Sequence, residues 1–128
     1  MFIYNSDLKK GVICLNIINT DNTVIEKNEF QSITNYLNPK RHGGKTTIGI
    51  SKWKPNSSGD IHTHSDWDEH FFILDGEGKM IVGDTIHNVS PNMVIQIPRE
   101  VPHTVKDAGE NGLKMVYVLT HYDSSEDK

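Results

Sequence analysis

The chain has 128 residues, which suits one domain around one core, and its 35 % of hydrophobic residues are spread along it as in a folded globule rather than a disordered chain. A net charge of −4 with no basic stripe argues against a nucleic-acid partner. The single cysteine, Cys14, excludes an intramolecular disulfide and a thiolate zinc cluster.

The first residues lack a charged segment followed by an apolar one, and no apolar run approaches the ~18 residues of a membrane span, so the cytoplasm is the expected location. Residues 12–18 read as a first strand, with Cys14 as a buried thiol rather than a nucleophile. Residues 29–37 hold the one helical signal. Phe30, Ile33 and Leu37 recur at helical spacing and Asn38 with Pro39 would end the helix, although an irregular loop or a strand fits equally. From residue 46 onward the chain alternates strand and turn. Candidate strands cover 46–53, 60–64, 70–75, 79–82, 93–97, 103–106 and 114–120, and they are rich in β-branched and aromatic residues. Pro55 to Gly59, Asp75 to Gly78, Gly83 with Asp84, Ser90 to Asn92 and Gly109 to Gly112 supply turn chemistry between them. This regular spacing predicts an all-β antiparallel sandwich or barrel. Residues 123–128 form a polar tail expected to fray.

His62 and His64 are one residue apart. On a helix that spacing turns them about 200° from each other. On a strand they share a face, about 6.6 Å apart along the chain. Extended backbone therefore lets both imidazoles reach one ion, at about 2.0–2.1 Å if zinc is the guide. Glu69 opens the next strand, with Phe71 and Ile73 on its side, and His103 arrives from elsewhere in the sheet with Val101 and Val105 on its side. Three imidazoles and a carboxylate suit a divalent transition metal with open coordination positions. Asp68 is the alternative carboxylate if the loop register shifts by one, and strand parity favours Glu69. His70 is expected to face away, His87 and His121 to be exposed, and His42 to sit in a loop; Trp53 and Trp67 flank the histidine pair. Lys52, Tyr117, Gln96 and Arg41 are the candidates for substrate or acid–base contact, Lys52 through the parity it shares with Ile48 and Ile50.

These residues resemble the first motif of the cupin superfamily: His62-x-His64, four residues, Glu69, six residues, then Gly76. Pro98 followed by His103 after four residues is similar to the core of the second motif. The chain departs from the family at Asn56, Asn92 and Glu100, where glycine is common, and at Asp107, where asparagine is usual. Those differences concern loop shape; all four ligand positions carry the family's residue type. The resemblance covers about residues 46–119 and implies a double-stranded β-helix, or jelly roll, with an N-terminal extension over 1–45, all in one domain spanning 1–128. It also implies one divalent transition-metal ion (Fe, Mn, Ni, Co or Zn) held by His62, His64, Glu69 and His103, and a small-molecule ligand. A homodimer is expected, with residues 1–38 long enough to give an edge or exchanged strand. The expected activity is a metal-dependent isomerase, lyase or dioxygenase reaction on a small polar, oxygen-rich substrate. A non-catalytic module that senses a sugar or small acid at the same site is one alternative. A metal-independent cyclase or epimerase is another.

Overall fold

The computed structural model describes residues 16–20 and 24–122. The turn-punctuated region folds into antiparallel strands: β1 (Val24–Lys27), β2 (Gln31–Leu37), β3 (Thr46–Trp53), β4 (Trp67–Gly76), β5 (Gly78–Val82), β6 (Thr85–Val89), β7 (Val94–Ile97), β8 (His103–Asp107) and β9 (Leu113–His121), with a helical turn α1 (Pro39–His42) after β2. One sheet has the order β1-β2-β3-β9-β4-β7 and the other β6-β5-β8. This is the mostly-β jelly roll that the resemblance implied. Ile73 on β4, Met80 on β5, Ile97 on β7 and Met115 on β9 are essentially solvent-free and tie the two sheets into one core. Among the described residues no helix is long and apolar enough to cross a membrane.

Several sequence expectations are corrected. Residues 29–37 are not helical. Residues 31–37 form β2, paired antiparallel to β3 through Ile33 opposite Ser51, and sheet pairing overrides a weak helical period. Asn38 begins a helix instead of ending one: its side chain accepts from the Arg41 N–H at 2.9 Å, and Pro39 takes the first helical position. Residues 60–64 carry no strand, only an isolated bridge between His62 and His103. A strand at 85–89, paired with β5 across the two-residue loop Gly83-Asp84, escapes notice in the sequence because four of its five residues are exposed and no alternating inner face marks it. Of the strand expected at 12–18, residues 16–18 are not in a strand, while 12–15, Cys14 included, lie outside the described residues, as does the tail at 123–128.

The inner and outer faces of β3 reverse the usual pattern. Thr47, Gly49 and Ser51 are buried, whereas Ile48 and Lys52 are exposed. The register continues this outer surface across the sheet: Ile50 pairs with Val116, Val116 with Phe72, and Phe72 with Val94. Phe72 is 39 % exposed and Val94 69 %, so a row of apolar side chains crosses the outside of the larger sheet. Ser51 on β3, with Gln31 and Asn35 on β2, lines a cavity of about 720 Å³ inside the barrel.

Candidate metal centre

The backbone bridge brings the two distant histidines together. The His62 N–H donates to the His103 carbonyl at 3.1 Å, and the His103 N–H donates back to the His62 carbonyl at 3.0 Å. Their ring centroids lie 4.4 Å apart. His64, two residues along extended backbone, places its ring 4.9 Å from His62 and 5.0 Å from His103. Two further contacts hold it: its ring stacks on Trp67 at 4.6 Å, and its carbonyl accepts from the Glu100 N–H at 2.6 Å. Glu69 comes from the inner face of β4, with Oε1 3.1 Å from His64 Nε2 and 3.0 Å from His103 Nε2. One ligand atom from each of His62, His64, Glu69 and His103 lies within 4.8 Å of the others.

Tautomers follow from the outer partners. His62 Nδ1 lies 2.9 Å from the Asp60 carbonyl and His103 Nδ1 2.8 Å from the Val101 carbonyl. A carbonyl can only accept, so Nδ1 carries hydrogen in both rings and Nε2 of the neutral imidazole presents a lone pair inward. Burial, aided by the neighbouring His103 and His62, lowers the His64 pKa against the pull of Glu69. Burial also opposes charge on His103, but its hydrogen bonds to Glu69 and the Val101 carbonyl outweigh that and raise its pKa. Three imidazoles and a carboxylate therefore converge with oriented donor atoms and no Lys or Arg among them, a set that fits a divalent transition metal.

The remaining candidates separate cleanly. Asp68 is engaged elsewhere: it accepts from the Tyr122 hydroxyl and, at 2.8 Å, from the Arg99 N–H, and these bonds hold its carboxyl below the usual range. His70 lies on the other side of β4, within 3.4 Å of the Val118 carbonyl and of Gln96. His42 accepts from the Asn38 N–H, His121 bonds Thr47 and is half-buried rather than exposed, and His87 bonds Thr85 on the exposed hairpin. Trp53 and Trp67 both line the cavity; of the four substrate-contact candidates only Tyr117 does, whereas Lys52, Gln96 and Arg41 do not. Gln31, Asn35 and Ser51 also line it and were not anticipated. Their signal is the small and polar parity of β3, visible in Thr47, Gly49 and Ser51.

The departures from the family motif are legible in the backbone. Asn56, Asn92 and Glu100 are the non-glycine residues with positive φ among those described, at 59°, 72° and 74°. The loops keep a glycine-like conformation without the glycine. Asparagine tolerates it; glutamate does not, at a cost of about 1–2 kcal/mol. Glu100→Gly removes that strain but adds about 0.5 kcal/mol of chain entropy to the unfolded state, so a net gain of about 0.5–1.5 kcal/mol is expected in urea unfolding.

The fold is a jelly roll whose cavity gathers three histidines and a glutamate, a set that could hold a metal ion: Glu69 from β4, His103 from β8, and His62 and His64 from the bridged segment between β3 and β4. The cupin-domain family model matches residues 49–119, more than half of the chain, and the chain belongs to the cupin family. No curated protein sequence matches it. Solved structures share its fold at low identity. A protein from Thermotoga maritima described as a predicted oxalate decarboxylase aligns with TM-score 0.73 and 17 % identity, over 84 % of this chain and all of that one. KdgF from Halomonas sp. aligns with TM-score 0.70 and 11 % identity, over 87 % and 97 %. The oxalate decarboxylase of Bacillus subtilis, described with Mn(II) centres, aligns with TM-score 0.75 and 16 % identity, over 92 % of this chain and 32 % of that one.

Proposed function

We propose that this chain is a metal-dependent cupin enzyme acting on a small, oxygen-rich molecule, with one divalent transition-metal ion held by His62, His64, Glu69 and His103. The convergence of four donor atoms within 4.8 Å carries this reading. When bound, the ion supplies Lewis-acid polarisation and orientation of substrate oxygens. The chain's own residues do the rest. The Asp60 and Val101 carbonyls fix the imidazole planes, and Glu69 contributes one negative charge, so a divalent centre keeps net positive charge for an anionic head group. Trp67, Phe71 and Leu119 line the cavity and supply an apolar wall beside the four residues. The Mn(II) named for the Bacillus subtilis protein keeps manganese among the candidates with iron, nickel, cobalt and zinc. Oxalate, named for two of the similar structures, fits less well: among the described residues no Lys or Arg lines the cavity, and a two-carbon dianion would leave most of 720 Å³ to water.

Purified protein is expected to carry about one transition-metal ion per chain, and chelation is expected to remove both the ion and turnover. Full turnover with an empty centre would overturn the assignment. Saturable binding without turnover across small hydroxy and keto acids would favour a sensing module instead.

The apolar row on the outer sheet is the face for a second copy of the chain. Ile50, Val116, Phe72 and Val94 lie in one register across four strands, with Ile48 and Leu74 beside them, and such a surface is self-complementary about a two-fold axis. Light scattering is expected to give a dimer that Phe72→Glu converts to monomer; a monomeric parent protein would exclude it.

A further inference from the structure

The helical turn at Pro39–His42 fixes the direction of a hydrogen-bond chain that ends in the cavity. The Arg41 backbone N–H can only donate, and it donates to Asn38 Oδ1 at 2.9 Å. Asn38 must then present its NH₂ to Asn35 Oδ1, at 2.9 Å. Asn35 in turn presents its NH₂ to the Tyr117 hydroxyl oxygen, at 3.2 Å. Neither amide can be reversed without setting donor against donor or acceptor against acceptor. Tyr117 is thus an acceptor in this chain, and its own hydrogen is not used by it. Packing fixes the seat of the ring, which lies across Gly49, where a side chain would collide with its Cε1 and Cζ at 2.6 Å. The residue is 7 % exposed and lines the cavity. Burial raises its pKa, so the phenol keeps its hydrogen. Ser51, 2 % exposed on the same wall, likewise accepts from an amide of β2, Gln31, at 2.8 Å.

We infer that the Tyr117 hydroxyl is a second recognition point of the cavity, donating its hydrogen to an uncharged oxygen at the end of the ligand remote from the histidine cluster. The inference rests on the reading of this cavity as the small-molecule site and narrows its ligand class. Tyr117 pairs with Phe71, two residues from Glu69 on β4, and its ring points away from β4 toward β2. Strand spacings then put the hydroxyl on the order of 10 Å from the Glu69 carboxylate. A molecule that touches both needs a chain of roughly five or six carbons. Its far oxygen is a hydroxyl or carbonyl rather than a carboxylate, because Glu26, Asp60 and Glu69 line the cavity and, among the described residues, no Lys or Arg does. The ligand is a monocarboxylate with an oxygenated tail.

The test uses Mn(II)-loaded protein and two probes with the same α-hydroxy-carboxylate head: D-gluconate, with a six-carbon oxygenated chain, and glycolate, which stops at the head. Calorimetry is expected to show gluconate binding more tightly than glycolate. Tyr117→Phe is expected to weaken gluconate about tenfold and leave glycolate and metal content unchanged. Asn35→Asp supplies a carboxylate that can only accept, so it draws the Tyr117 hydrogen out of the cavity. It is expected to cost gluconate the same factor, with no further loss in the double variant. Equal affinities of the two probes for the parent protein, or a Tyr117→Phe variant that binds gluconate like the parent, overturns the subsite while leaving the metal centre standing. Failure of the parent protein to hold any of Mn(II), Fe(II), Co(II), Ni(II) and Zn(II) overturns the metal-centre reading and this inference with it, whereas a loaded parent that binds neither probe overturns this inference alone.

Discussion

His103→Ala is expected to empty the metal centre while leaving the barrel folded. His103 is the most buried of the four ligand residues, 3 % exposed, and the one that comes from a strand of the smaller sheet, β8. Its bridge to His62 runs through backbone atoms and survives truncation of the side chain. Removing one of four donors costs at least as much as removing an outer partner of a ligand, which is worth about 10–100-fold in affinity. Linkage makes the loss visible in stability. An ion present at ten times the parent's dissociation constant adds about 1.4 kcal/mol to the parent fold and at most about 0.4 kcal/mol to a variant at least tenfold weaker, so at that concentration Mn(II) should raise the parent's melting temperature and barely move the variant's. His70→Ala, one residue from Glu69 but on the outer side of β4, is the control and should keep full metal content. Stoichiometric metal in His103→Ala would remove His103 from the centre.

The convergence of the four candidate donors was legible in the sequence because their geometry is local. The spacing of His62 and His64 needs only extended backbone, which a single bridge supplies as well as a strand does. The choice of Glu69 over Asp68 needs only parity, and the structure sends Asp68 to Arg99 and Tyr122. The cavity wall was not legible, because β3 places Ile48 outside and Ser51 inside, against the rule that apolar residues face the core. That rule assumes a filled interior and a wet exterior. Here β2 and β3 turn Gln31, Asn35 and Ser51 to the cavity and β3 turns Ile48 outward, so on this wall the alternation has the opposite sense, and Lys52 drew notice in place of Asn35. The weak helical period at residues 29–37 failed for a related reason: Phe30 precedes β2, Ile33 lies within it, turned to the cavity with Gln31 and Asn35, and a bulge between Asn35 and Leu37 shifts the register, so the strand alternative holds. Pairing with β3, invisible in the local sequence, decided the conformation.

Gly49→Ala should be among the more damaging single-methyl additions to this chain. Gly49 sits in the middle of β3, opposite Asn35 on β2 and Tyr117 on β9. A Cβ there would meet the Thr34 carbonyl oxygen on one side and the Tyr117 ring, at 2.6 Å, on the other. Carbon atoms in good contact stand about 3.5–4.0 Å apart, so both neighbours must yield. The carbonyl belongs to the backbone of β2, and the ring is tethered at its hydroxyl by Asn35. Relief therefore requires β2 to separate from β3 or Tyr117 to leave its seat. Overpacking of this kind costs about 3 kcal/mol, which corresponds to roughly 10–15 °C in melting temperature for a domain of this size. The position also couples stability to recognition. If the ring moves, Tyr117 loses the Asn35 bond that directs its hydrogen, and gluconate affinity should fall while glycolate affinity and metal content hold. A melting temperature within about 3 °C of the parent, which for a domain of this size means a cost under about 1 kcal/mol, would show that the barrel wall gives way more easily than a tethered ring and a strand backbone allow.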